Sequence, residues 1–174
     1  MKLAFWKKQA PPPQLETLSW NFMVRATDPD ECWDVAQHFR ATELPENART
    51  CEVSFLMGSV VRNAIRELVP ESKQRACVIS AEAAYFKTFD DQSDDPLPPE
   101  MVAVYGSMTL GHVARIALAA YGEGDDQLYL SIPVLVRRLK GDPRMAYEIA
   151  PFVERRAKTL TSAFSQVIRQ CNAT

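Results

Sequence analysis

The chain has only two histidines, His38 and His112, and none of its four cysteines is arranged as C-x-x-C. The cysteines are Cys32, Cys51, Cys77 and Cys171. Zinc sites use thiolates and imidazoles at short, regular spacings, so this scarcity argues against a zinc site. All four cysteines lie in apolar or helical contexts. We interpret them as buried free thiols of a reducing compartment.

Excess charge is also missing, and no secretory signal is expected from the first residues. The net charge is -2 and the pI is about 5.7, which provides no general attraction to nucleic acid, and no nucleic-acid partner is expected. The first apolar run, Leu3 to Trp6, is too short for a secretory signal. A cytoplasmic location is the resulting expectation.

Catalytic motifs are equally scarce. No G-x-S-x-G nucleophile elbow occurs. The stretch GSMTLGHVAR, Gly106 to Arg115, shares two spaced glycines with a P-loop, but His112 and Val113 follow the second glycine where Lys and Ser or Thr are required. We expect a non-enzymatic protein without a cofactor. A Cys–His pair of Cys51 or Cys77 with His112 stays open, because such partners meet in space.

The acidic loop at 90–95 does not follow the calcium-loop pattern. An EF-hand needs glycine at its sixth position and glutamate at its twelfth. Counted from Asp90, those positions hold Asp95 and Met101. We interpret the loop as a solvated segment that could dock a basic partner.

Apolar spacing favours an all-α protein. The chain of 174 residues is 47% hydrophobic and 24% charged, which suits one domain with a real core. We predict a single-domain bundle of six to eight helices over residues 14–174, preceded by a flexible tail and proline spacer at 1–13. Residues 15–26 fit either a strand or a helix, and we favour the helix.

Capping and breaking residues place the helix ends. Asp28 and Pro29 predict a helix start, with Glu31 completing a capping box. Met101–Tyr121 is predicted as one long apolar helix, in which Arg115 argues against a membrane span. We expect a helix kink at Pro133 and a helix end at 141–143. A short helix should follow up to Pro151, and a last helix should run to about Gln170.

Small residues at four-residue spacing predict close helix packing. Ala103, Ser107 and Gly111 share one face of the predicted helix, and the same step reaches Arg115. The favoured interpretation is a buried helix whose Arg115 pairs with an internal acid. The alternative is a ligand pocket at His112 and Arg115.

Glu31, Asp34 and His38 share a face of the helix that Asp28 caps. Two carboxylates and an imidazole could hold a divalent metal. An exposed polar face favoured by the helix dipole is the preferred interpretation.

The last helix has a coiled-coil stripe at alternating steps of four and three residues. It consists of Val153, Ala157, Leu160, Phe164, Val167 and Cys171. The stripe predicts packing against the chain's own bundle or, alternatively, a self-association interface at Val153, Leu160, Phe164 and Val167.

The tail combines Phe5 and Trp6 with Lys7 and Lys8. This cluster predicts a disordered terminus or, alternatively, a docking motif or weak contact with a membrane surface.

Together these features predict an interaction protein of adaptor or regulator type that forms a homo-oligomer or binds a protein partner. Two alternatives remain: a small-molecule-binding bundle, possibly an enzyme, with its pocket near His112 and Arg115, and a peripheral membrane protein attached through Met1–Lys8.

Overall fold

The computed structural model describes residues 14–39, 42–90, 97–121 and 127–172, which form helices and connecting turns without a strand. The eight α-helices of this part of the chain are α1 (Leu15–Ala26), α2 (Pro29–Ala36), α3 (Glu46–Leu68), α4 (Glu71–Asp90), α5 (Pro99–Tyr105), α6 (Leu110–Ala120), α7 (Gln127–Arg138) and α8 (Met145–Asn172). The predicted all-α bundle is confirmed. The strand alternative for 15–26 is wrong, because this segment is α1.

Helix α3 is the centre of the bundle and contacts each of the other seven helices. Every side chain from Glu52 to Ser59 is buried. The stretch between Glu52 and Arg62, VSFLMGSVV, contains no charged residue. A helix that is apolar on all sides is buried on all sides, which explains the central position of α3.

The closest helix approach lies between α3 and α4. A Cβ atom added at Gly58 would lie 2.5 Å from Cε2 of Tyr85, so only glycine fits there. The Tyr85 hydroxyl then donates to the carbonyl oxygen of Ala114 at 3.1 Å, which ties α4 to α6. On the other side of the bundle, Phe22 of α1 stacks on Phe164 of α8 with ring centroids 4.5 Å apart.

The segment predicted as one helix over Met101–Tyr121 is broken into α5 and α6, and that prediction is wrong. Gly106 ends α5 with φ of 69°, a conformation that favours glycine. The Thr109 hydroxyl then caps α6 by accepting from the backbone N–H of His112 at 3.3 Å.

The break also corrects the predicted close-packing face. Ala103 and Ser107 are exposed, and Gly111 is buried on a different helix, so the three residues do not form one packing face. Within the described ranges, no single helix is both long and apolar enough to cross a bilayer. Helices α5 and α6 pass that test only when taken together, with a 40° bend between them.

Other predicted helix ends can be compared directly. Asp28 caps α2 by accepting from the backbone N–H groups of Asp30 at 3.0 Å and Glu31 at 3.2 Å, as predicted. The predicted stop at 141–143 separates α7 from α8. Pro151 does not end a helix, however, because α8 continues through it.

Two predictions fall outside the described residues. They concern the tail at 1–13 and the acidic residues at 91–95.

Candidate functional site

A buried carboxylate lies at the centre of the bundle. Glu52 of α3 is 1% exposed. Its Oε1 accepts from the Tyr105 hydroxyl at 2.9 Å and from Nη2 of Arg138 at 2.9 Å. Its Oε2 accepts from the Tyr121 hydroxyl at 3.2 Å and from Nε of Arg138 at 2.5 Å. This cluster, the Glu52 network, joins α3 to α5, α7 and the end of α6.

The electrostatics of the Glu52 network hold each donor in its protonated form. Burial, and then the charge of Glu52, raise the pKa of Tyr105 and Tyr121 above the ordinary value of 10.0. Burial alone would lower the pKa of Arg138. The hydrogen bonds and charge of Glu52 outweigh burial, so the pKa of this guanidinium is raised.

This network is suited to holding helices together. The two Glu52 oxygens together accept four hydrogen bonds, which uses the acceptor capacity that a substrate or metal would need. A buried charge with all its partners in place is a structural unit whose loss is costly. We therefore do not assign a catalytic role to Glu52.

A second buried charge lies nearby on α3. Nη1 of Arg62 is 3.6 Å from Glu82 of α4, and its Nη2 donates to the carbonyl oxygen of Leu118 of α6 at 3.3 Å. From the sequence we expected Arg115 to be a buried arginine. That expectation is wrong, since Arg115 is exposed and Arg62 and Arg138 reach the interior instead.

The burial of Glu52 and Arg62 was not predicted from the sequence, although one sequence feature indicates it. Glu52 and Arg62 bracket the uncharged stretch at the middle of α3, so a helix buried on all sides must bury them or end at them. Nothing in the local sequence of Arg138 marks it as the partner of Glu52, from which it is separated by 86 positions.

His112 and Arg115 both lie on the outer side of α6. His112 is exposed, and the Arg115 guanidinium carbon lies 4.8 Å from the ring centroid of Phe86. Such cation–π contacts hold a guanidinium at the protein surface. Neither residue lines the cleft between α1, α2 and α8 that is described below. A ligand pocket at this pair stays a prediction.

The rest of this outer side is apolar. Ile116 is 45% exposed, and Ala119 and Ala120 are also exposed. His112, Arg115, Ile116 and Ala119 occupy one side of the helix by their spacing, and we call them the α6 outer face. Its opposite side packs on α3 and α4.

The apolar stripe of α8 is used within the molecule. Val153, Leu160 and Phe164 are each at most 2% exposed, and only Val167 of the predicted interface residues reaches the surface. The prediction that α8 forms a self-association interface is therefore wrong for these three buried residues. In the last turns the stripe continues to Ile168, which is buried, because a straight helix repeats every 3.6 residues rather than every 3.5.

The predicted metal ligands line a cleft between α1, α2 and α8, together with three arginines. Glu31 pairs with Arg25 (Nε to Oε1, 3.5 Å) and with Arg156. His38 stacks on Phe152 with centroids 3.6 Å apart. Among the described residues, no three His, Cys, Asp or Glu side chains are placed to hold a metal ion. The metal prediction thus has no support.

The thiols are poorly suited to nucleophilic chemistry. Burial raises the pKa of Cys51 to about 12 and also raises the pKa of Cys77 above 9.0. The thiolate is the reactive form, so both residues are held in the inert state at neutral pH. The predicted docking residues Phe5, Trp6, Lys7 and Lys8 lie outside the described residues.

The chain matches no protein-family model, and no curated protein or solved structure resembles it significantly.

Proposed function

We propose that this protein is a non-enzymatic helical interaction module, of adaptor or regulator type, that self-associates through the α6 outer face. The observation that supports the proposal is that the outer side of α6 exposes Ile116, Ala119 and Ala120 beside two polar residues. Of its eleven residues, only His112 and Arg115 are polar. A helix at the surface of a monomer normally carries a polar outer side, and one that is apolar all round is normally covered.

The side chains of the α6 outer face suit contact with a second helix. Ala119 and the neighbouring Ala120 are small, so another helix backbone can approach closely. Ile116 provides a large apolar side chain to bury. Fully burying a side chain of this size contributes about 1.5–3 kcal/mol.

A second copy of this chain is the partner that we propose. A two-fold contact needs one patch that is complementary to itself, and the exposed apolar residues Ile116 and Ala119 can meet that condition by packing on the same residues of the second copy. The face has no carboxylate that would require a basic partner. Arg115 is held over Phe86 of the same chain, which leaves Ile116 and Ala119 free to make the contact.

Native mass spectrometry and sedimentation velocity of the full-length protein test this proposal. The wild-type chain should be a dimer at micromolar concentration, and Ile116→Asp should be a monomer with an unchanged helical circular dichroism spectrum. Ile79→Asp is the matched control. Ile79 is an isoleucine on α4 that is 57% exposed, and its substitution should leave the dimer intact.

Two outcomes contradict the proposal. One is a wild-type chain that stays monomeric throughout the concentration range. The other is equal dissociation by Ile116→Asp and Ile79→Asp, because the effect would then not belong to α6. If the monomer instead pelleted with lipid vesicles and Ile116→Asp did not, a membrane rather than a second copy would cover this face.

A further inference from the structure

The cleft between α1, α2 and α8 has a volume of about 440 Å³. Along the cleft, the chain from Glu31 to His38 runs antiparallel to α8. Glu31 contacts Arg156, while the later residue His38 stacks on the earlier residue Phe152. This volume lies within the range of about 300–1,000 Å³ that is typical of small-molecule sites. The cleft lies on a different part of the molecule from the α6 outer face.

Positive charge is in excess in this cleft. Its lining includes three arginines, Arg25, Arg155 and Arg156, and two carboxylates, Glu31 and Asp34. Glu31 is shared between Arg25 and Arg156. Arg155 and Asp34 are both exposed, and within the described part of the chain Arg155 has no ion-pair partner. One guanidinium charge is therefore not neutralised.

The buried polar atoms of the cleft are not all satisfied. Oε2 of Glu31 is buried and, apart from its ion pair with Arg156, has no hydrogen-bond partner among the described residues. Among the described residues Nε of Arg156 is buried and has no acceptor, whereas its Nη2 contacts Oε2 of Glu31 and also donates to the carbonyl oxygen of Arg25 at 3.4 Å. A buried donor without an acceptor is unfavourable. An oxyanion bound at the exposed Arg155 would correct the charge excess.

We infer that this cleft binds the phosphate group of a small molecule, with Arg155 as its main contact. Guanidinium groups match phosphate because their donors are arranged in a planar fork. His38, held by its stack on Phe152, presents an imidazole at the far end of the cleft. The guanidiniums would repel the divalent cation that Glu31, Asp34 and His38 might otherwise hold. This inference assigns a ligand site and goes beyond the proposed self-association.

Asp34 gives the inference a test of opposite sign. Its carboxylate lines the same cleft and repels a bound phosphate, so Asp34→Asn should strengthen binding. Arg155→Gln should weaken it about tenfold, which corresponds to the loss of one charge-assisted hydrogen bond. Arg155 has no ion-pair partner among the described residues, so the Arg155→Gln chain should fold normally.

The experiment measures the melting temperature of the full-length protein in sodium phosphate against sodium chloride of equal ionic strength. Wild type should be stabilised specifically by phosphate, because a ligand that binds only the folded state raises the melting temperature. The stabilisation should shrink in Arg155→Gln, grow in Asp34→Asn, and stay unchanged in Arg137→Gln. Arg137 is exposed on α7 and does not line the cleft.

The inference is overturned if phosphate stabilises wild type no more than chloride does, or if it stabilises Arg155→Gln as much as wild type. It is also overturned if acetate stabilises as strongly as phosphate, because the site would then not select phosphate. Repeating the titration on Ile116→Asp separates the two proposals. Phosphate binding should persist there whether or not the chain dimerises.

Discussion

Glu52 and Arg138 form a two-point ion pair across the core, with Nε 2.5 Å from Oε2 and Nη2 2.9 Å from Oε1. The two partners are not equally buried. The Glu52 side chain is 1% exposed, whereas the Arg138 side chain is 20% exposed and reaches the surface. This asymmetry determines which partner can be lost at the smaller cost.

Arg138→Met should be more destabilising than Glu52→Gln. Removing the arginine leaves a buried carboxylate without its charge partner, which typically costs about 3–5 kcal/mol. Removing the carboxylate leaves an arginine that water can still reach, and about 1–3 kcal/mol is expected. Urea denaturation at pH 7 measures both values.

The double variant Glu52→Gln/Arg138→Met provides the sharper test. It should be more stable than Arg138→Met alone, because the unpaired buried charge is gone. Arg137→Met, at the neighbouring exposed position, should change stability by less than about 0.5 kcal/mol. Equal costs for the two single variants would contradict the burial argument.

Gly58→Ala should destabilise the protein although alanine is the better helix former. The new methyl would meet the ring of Tyr85 at 2.5 Å, and Tyr85 is fully buried and anchored to Ala114. Overpacking of this kind costs about 1–3 kcal/mol, more than the ~1 kcal/mol gained in helix propensity. Thermal denaturation compares Gly58→Ala with Asn63→Ala on the same helix, for which no loss of stability is expected. A stabilised Gly58→Ala would show that α3 and α4 can separate easily.

The α8 stripe should behave as core and not as a subunit interface. Leu160→Ala removes a side chain that is 2% exposed and should cost about 2–5 kcal/mol of folding free energy. Val167→Ala changes a side chain that is 36% exposed, and less than about 0.5 kcal/mol is expected. Denaturation combined with sedimentation distinguishes the alternatives. Loss of the dimer in Leu160→Ala without loss of stability would contradict this expectation and support the self-association interface that the sequence predicted on α8.

Local signals predicted the fold well where the responsible residues are close in sequence. Asp28 and Pro29 predict the start of α2, and the spacing of Val153, Leu160 and Phe164 predicts the inner side of α8. Each of these signals acts within one or two helical turns, where the chain itself fixes the geometry.

Features that depend on distant partners could not be predicted. Glu52 contacts Arg138 only because α3 and α7 pack together, and no local sequence pattern predicts that contact. Gly106 illustrates another limit, since one glycine in an apolar run is compatible with a continuous helix and with a turn. The α6 outer face was hidden for the same reason. Its residues belong to the segment that the sequence predicts as one long buried helix, whereas in the structure they are exposed.

The buried thiol of Cys32 should make the protein less stable at alkaline pH. Cys32 is fully buried, and burial raises its pKa from 9.0 to about 11. Between these values the unfolded chain has released the proton and the folded chain retains it, so the free energy of unfolding falls as pH rises. From pH 8 to pH 10 this thiol alone should account for a loss on the order of 1 kcal/mol. Above pH 10 the raised pKa values of Tyr105 and Tyr121 should add to it.

Urea denaturation of wild type and Cys32→Ala at pH 8, 9 and 10 tests this dependence. The variant should be less stable at pH 8 but lose less stability on going to pH 10. Val35→Ala, a truncation on the same helix without an ionisable group, should be destabilised equally at all three values. If Cys32→Ala kept the full wild-type dependence on pH, the loss would have to come from groups other than this thiol.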